Sequence, residues 1–200
     1  DLQAVLKAIL LDTEARSATT AASPTYGKLR EPVLRFLAWA RAYRASSASD
    51  TWAVGDLSDP ASRLGQSPMR SGSVFNFFRP GYVPPGTALA SQGLVGPEFQ
   101  IANESSVAGY VNYMQRMVTG SGAGDLTPDY SSLLPLAADA AALLAEINLV
   151  LAGGQLSPQT LSLIQSAITT LPSSNQPNAL RRIQAALTLV LAAPEFIVQK

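Results

Sequence analysis

The chain has 200 residues, 47% of them hydrophobic and only 14% charged, which fits a folded chain with a sizeable core and excludes wholesale disorder. Fourteen basic residues balance fourteen acidic ones, so no nucleic acid partner and no anionic membrane surface is expected. Cysteine and histidine are both absent, which removes disulfides, thiolate chemistry, the commonest general base and the commonest metal ligand; no cofactor and no metal site is expected.

Leu2, Val5, Leu6, Ile9 and Leu10 recur at helical spacing and predict a short first helix ending near Asp12 to Arg16. The stretch "SATTAASPT" after it reads as a loop. In the next segment Val33, Leu34, Leu37, Ala40 and Tyr43 form an apolar stripe, and Pro32 suits the first turn of that helix. Arg30, Arg41 and Arg44 share another face of it, read as a solvated surface with snorkelling stems or, alternatively, as a patch for an acidic partner.

Residues 50–102 hold six of the fourteen prolines, seven of the fourteen glycines and six of the fourteen aromatics, without helical or strand periodicity. Such a stretch points to a functional loop or an extended wrap over helices. Its densest part is "SVFNFFRPGYVPPG", residues 73–86. Ordering fourteen residues is entropically expensive, so this segment is expected to hold one conformation only by burying nearly every large side chain, with the prolines reducing the entropy to be lost. It is therefore read as an irregular core strap. In the competing reading Asn76, Arg79 and Tyr82 sit among the aromatics of a ligand groove.

Helical signals then return. Asn103 is a good N-cap, Glu104 suits the positive end of the helix dipole, and Val107, Tyr110, Val111, Met114 and Val118 mark a buried face. "TGSGAGDLTP" ends this helix, and its "GSGAG" is a linker with neither a preceding strand nor a Lys to make a phosphate loop. Leu136, Ala140, Leu143, Leu144, Ile147, Val150 and Leu151 predict a further helix stopped by Gly153 and Gly154. Ser157 and Pro158 start another, and Leu180, Ile183, Leu187, Val190 and Leu191 carry the last one until Pro194. The uncharged run 147–180 is broken too early to cross a bilayer, so no transmembrane segment is expected. The predicted class is all-α: an irregular bundle of about six helices forming one domain over 1–200, with two helices in 1–49, the aromatic strap in 50–102 and four helices in 103–200.

No dinucleotide fingerprint, metal motif or nucleophile elbow is present. A Ser nucleophile would need one of only three lysines as base, and none stands near a distinctive Ser motif. Glu98 and Glu104 flank "FQIAN" and are the one carboxylate pair weighed as an acid and base couple. No catalytic residue is assigned.

Five pieces in order, "AVLKAILLDTEAR", "GKLREPVLRF", "SVFNFFRPGYVPP", "LVGPEFQIANESSVAGYVNYM" and "RIQAALTLVLAAPEFIVQK", resemble the C-terminal half of the bacterial proteins grouped as the Domain of Unknown Function 1800 family. The resemblance spans nearly the whole chain. It implies a helical fold, an exported protein in the periplasm or outside the cell, and an N-terminal half with His and Trp motifs that this sequence lacks. It supplies no reaction and no catalytic residue. The partner it implies is that N-terminal remainder or another protein chain, against which Leu2, Val5 and Ile9 would face.

Three functions follow as expectations. The leading one is a noncatalytic scaffold or interaction domain, which requires Phe75, Phe77 and Phe78 to be buried. A fragment of an enzyme requires Asn76, Arg79, Glu98, Asn103 and Glu104 to converge. A carbohydrate or peptide-binding module requires at least two of the three Phe rings to be open along one groove.

Overall fold

The computed structural model describes residues 1–23, 26–122 and 124–200, and it is predominantly helical. The chain runs through α1 (Leu2–Leu10), α2 (Thr13–Arg16), α3 (Ala18–Ala22), β1 (Lys28–Leu29), α4 (Pro32–Ala42) and β2 (Ser46–Ser47). Inside the strap region 50–102 the chain forms α5 (Ala88–Ser91) and a 3-10 helix at Pro97–Ile101, and after it come α6 (Glu104–Thr119), β3 (Leu126–Thr127) and a 3-10 helix at Leu134–Leu136. The C-terminal part holds α7 (Ala140–Ala152), α8 (Pro158–Thr169), α9 (Gln176–Ala192), α10 (Pro194–Ile197) and β4 (Val198–Gln199).

Among the described residues the helices of nine or more residues are α1, α4, α6, α7, α8 and α9, the six that apolar periodicity predicts. The single-turn helices carry too few residues for a periodic signal. One of them, α3, lies within "SATTAASPT", which is therefore a capped turn of helix as far as Ala22; Pro24 and Thr25 of that loop reading lie outside the described residues.

Local chemistry sets the helix ends. The Asn103 side chain accepts from Ser106 N at 3.0 Å while Ser106 Oγ accepts from Asn103 N at 2.9 Å, a reciprocal box at the start of α6. Ser157 Oγ and Asn175 Oδ1 accept from Thr160 N and Asn178 N and start α8 and α9. Gly153, left-handed at φ +60°, ends α7.

The core is assembled around α9, which packs on α6, α7, α8 and α10 and buries Ile183, Ala186, Leu187, Val190 and Leu191. Buried Arg182 stays polar inside it by donating to the carbonyls of Ala137, Ala138 and Leu171. Two small antiparallel pairs tie distant parts together. Lys28 and Leu29 of β1 pair with Gln199 and Val198 of β4, and Ser46 and Ser47 of β2 pair with Thr127 and Leu126 of β3. Among the described residues, no helix is long and apolar enough to cross a membrane.

The face of α4 differs from the one its sequence suggests. Pro32, Arg35, Phe36 and Trp39 are buried and Tyr43 follows them, whereas Leu34 and Leu37 are exposed. Three aromatic rings at positions 36, 39 and 43 bury more apolar area than the aliphatic stripe, and they turn the helix about its axis toward the core. A similar shift leaves Val107 exposed on α6 while Tyr110, Tyr113, Met114, Met117 and Val118 are buried.

Residues 48–87 form no helix and no strand apart from an isolated bridge between Ser73 and Asn76. They wrap the bundle as expected, but their anchors are Leu57 and Leu64, not the Phe cluster. Val74 is 94% exposed and Phe75 59% exposed, with Phe77 and Phe78 half-buried. The expectation that these rings act as internal mortar is thus corrected. Order at the tip comes from polar closure: Phe75 N donates to Ser73 Oγ at 3.1 Å, and Asn76 takes a left-handed backbone at φ +68°.

Candidate interaction site

The tip is fixed by the start of α4. Glu31 precedes Pro32, which holds it in extended backbone, and as N-cap it makes no side-chain bond to its own helix. Its carboxylate is free to accept from Asn76 Nδ2 at 3.0 Å and from Gln66 Nε2. Buried Gln66 uses its other end as well, accepting from Val33 N at 3.2 Å and so satisfying one of the amides that open α4. One carboxylate and one amide thereby join α4 to two points of the strap.

Beside this junction lies an open groove of about 490 Å³ between α4 and the strap. Phe36, Leu57 and Ser67 are its buried residues, Val33, Leu37 and Val54 add apolar wall, and Arg70 with Asp56 supplies a charged pair at 3.2 Å. Hydrogen bonds from Ser58, then the nearby Arg70 and Arg63 charges, hold the Asp56 carboxyl below its ordinary range. Leu34 on α4, and Trp52, Met69, Val74 and Phe75 on the strap, are large apolar side chains left exposed. The chemistry this arrangement offers is recognition of an apolar side chain with a polar or charged neighbour.

A second apolar surface is α1. None of its residues is buried, and Leu2, Val5, Leu6, Ile9 and Leu10 are all exposed. The helix nevertheless has a well-formed start, where Asp1 Oδ1 accepts from Gln3 N at 2.9 Å.

The residues picked from sequence are divided between two places. Exposed Arg79 and half-buried Tyr82 share one turn, closed by Tyr82 N donating to Arg79 O at 3.0 Å. That turn packs on the segment around the 3-10 helix of half-buried Glu98: Arg79 N donates to Gln100 Oε1 at 2.7 Å and Gly96 N to Tyr82 O at 2.8 Å. Asn103 caps α6, and exposed Glu104 stands in its first turn. Asn76 is drawn instead to Glu31.

Sequence reasoning missed Glu31, Gln66, Asp56 and Arg70. The one available signal was Glu31 directly before a helix-starting proline, a position where a carboxylate is well placed for a helix N-terminus. Burial explains the raised pKa of Tyr43, Tyr110, Tyr113 and Tyr130, which remain neutral phenols of the core. Among the described residues, no group of three or more acidic side chains is placed to hold a metal ion.

No curated protein and no solved structure matches the chain. The family model described as Protein of unknown function (DUF1800) matches residues 1–198, and the chain belongs to that family.

Proposed function

We propose that this chain is a noncatalytic interaction domain that docks against another polypeptide, as part of an exported bacterial protein; with Phe75 exposed, the buried-ring condition first set for this reading is not met, and the reading rests on the exposed apolar surface instead. The observation that supports this reading most directly is α1, a helix with five large apolar residues exposed and none of its side chains buried. Contiguous apolar surface of this kind is characteristic of docking faces. The groove between α4 and the strap is proposed as a second contact, with Asn76 serving to fix the tip that carries Val74 and Phe75. The export part of the reading comes from the family resemblance alone.

Leu6→Asp combined with Ile9→Asp removes the apolar face of α1 without altering any buried residue. Native mass spectrometry of the chain isolated from its host under non-denaturing conditions is expected to show wild type bound to a second polypeptide. The double variant is expected at the mass of the single chain, with unchanged helicity by circular dichroism. Recovery of wild type alone, or of the double variant with the same partner, would overturn the proposal.

A further inference from the structure

The chain has three methionines, and the fold treats them in opposite ways. Met114 and Met117, on the inward face of α6, are each 1% exposed, whereas Met69 is 102% exposed. Local backbone keeps it there. Arg70 N donates to Ser67 O at 3.3 Å and closes a four-residue turn with Pro68 and Met69 as its central pair. Met69 is left-handed at φ +61°, at the position after proline that glycine ordinarily fills in such a turn. A long apolar side chain is thus held on strained backbone without burying any of its surface, and packing does not account for it.

The turn belongs to the rim of the groove between α4 and the strap, since Ser67, Pro68 and Arg70 around Met69 all line that groove. Every residue from Pro68 to Phe75 is exposed, so the thioether can be reached by a small oxidant and by the active site of an enzyme. With cysteine absent, a methionine sulfur is the softest nucleophile the chain offers, and Met69 is the one placed in solvent.

We propose that Met69 is a reversible oxidation site, with a peroxide as the oxidant and a thiol-dependent methionine sulfoxide reductase as the enzyme that restores it. The sulfur lone pair attacks one peroxide oxygen, and the S–O bond forms as the O–O bond breaks. The sulfide is oxidised by two electrons, and a proton passes to the departing oxygen, which leaves as water. In the return step the sulfoxide oxygen leaves as water while two thiols are oxidised to a disulfide. On the docking reading given above, the sulfoxide replaces an apolar residue at the groove rim with a polar one; the modification itself does not depend on that reading.

The test treats the folded chain with dilute hydrogen peroxide and follows each methionine by peptide mass mapping. Met69 is expected to gain one oxygen at about the rate of N-acetylmethionine amide in solution. Met114 and Met117 are expected to react at least about a hundredfold more slowly, because exposing them requires unfolding, and to match Met69 in guanidinium chloride. The two reductases specific for the two sulfoxide epimers, supplied together with dithiothreitol, are expected to return the folded, oxidised chain to its starting mass. Met69→Leu is expected to leave the folded chain without a fast-reacting methionine. The proposal is overturned if Met69 reacts more than about tenfold more slowly than the small amide, if the core methionines keep pace with it in the folded chain, or if the reductases act only after unfolding.

Discussion

The indole Nε1–H of Trp39 donates to the Tyr130 hydroxyl at 3.1 Å, and that hydroxyl passes the chain on by donating to the Val118 carbonyl at 3.2 Å. Both side chains are buried, so α4, the segment before the second 3-10 helix and the last turn of α6 are joined by one polar relay inside an apolar core. Tyr130→Phe keeps the ring and its edge contact with Tyr43 but leaves the indole N–H and the Val118 carbonyl without this partner. The expected loss is about 1–3 kcal/mol, since an orphaned buried donor forfeits more than one average hydrogen bond contributes. Thermal unfolding checks it, at roughly 2–4 °C per kcal/mol for a chain of this size.

Arg182 serves a different end of the bundle. Its guanidinium reaches Ala137, which caps the second 3-10 helix, and Leu171, just beyond the end of α8. Arg182→Met should fill much of the same volume while leaving those carbonyls unsatisfied, at roughly 2–4 kcal/mol. Arg182→Lys is expected to recover only part of the loss, because a single ammonium cannot replace donors that point to two chain ends. Urea unfolding of the two variants beside wild type separates the outcomes; a Lys variant as stable as wild type would show that the fork geometry is irrelevant.

These two polar elements show where the sequence was legible and where it was not. The long helices announce themselves through N-caps at Asn103 and Ser157 and through apolar spacing, which are local signals. Which face of α4 turns inward is not local, because it depends on Phe36, Trp39 and Tyr43 finding a pocket among distant elements. The strap was misjudged for the same reason. Its wrapping was readable from proline and glycine content, but the burial of its rings was inferred from an entropy argument that assumed apolar contacts alone could order it. Glu31, 45 residues from Asn76, orders the tip with one carboxylate, and nothing in the spacing of "SVFNFF" carries that information.

At Gly109 the strap lies directly against α6. A Cβ there would stand 2.2 Å from Pro60 O and 2.9 Å from Ala61 O, both backbone atoms. In a free helix Gly→Ala gains about 1 kcal/mol, so propensity alone predicts a more stable protein. Overpacking against main chain costs typically 1–3 kcal/mol or more and outweighs that gain. Gly109→Ala is therefore expected to lower the unfolding temperature or to push the strap off α6. In the second case amide exchange at Leu64, whose N–H donates to Leu57 O at 3.1 Å, accelerates selectively. A stabilised variant with unchanged exchange would show that the approach is looser than described.

The strap's first loop is tied to the chain after α6 through Asp125. Its carboxylate accepts from the hydroxyls of Ser47 and Ser49, from Thr51 Oγ1 at 3.4 Å and from Ala53 N at 3.2 Å. These bonds, those from Ser47 and Ser49 foremost, hold its pKa at about 2 against an ordinary 3.8. Because the folded value is depressed, the stabilisation is present above the unfolded value and is lost as pH falls through the folded one. The window is therefore about pH 4 down to pH 2. Across it Asp125 should titrate late in a carboxylate-detected NMR experiment, and amide exchange at Ala53 should rise as the proton arrives. Asp125→Asn keeps an acceptor but removes the charge, and is expected to show rapid exchange at Ala53 already at neutral pH, with no further acid-dependent rise in this window. A wild-type Asp125 that titrates near its ordinary value, with exchange at Ala53 flat across the same range, would mean that the carboxylate does not hold this loop.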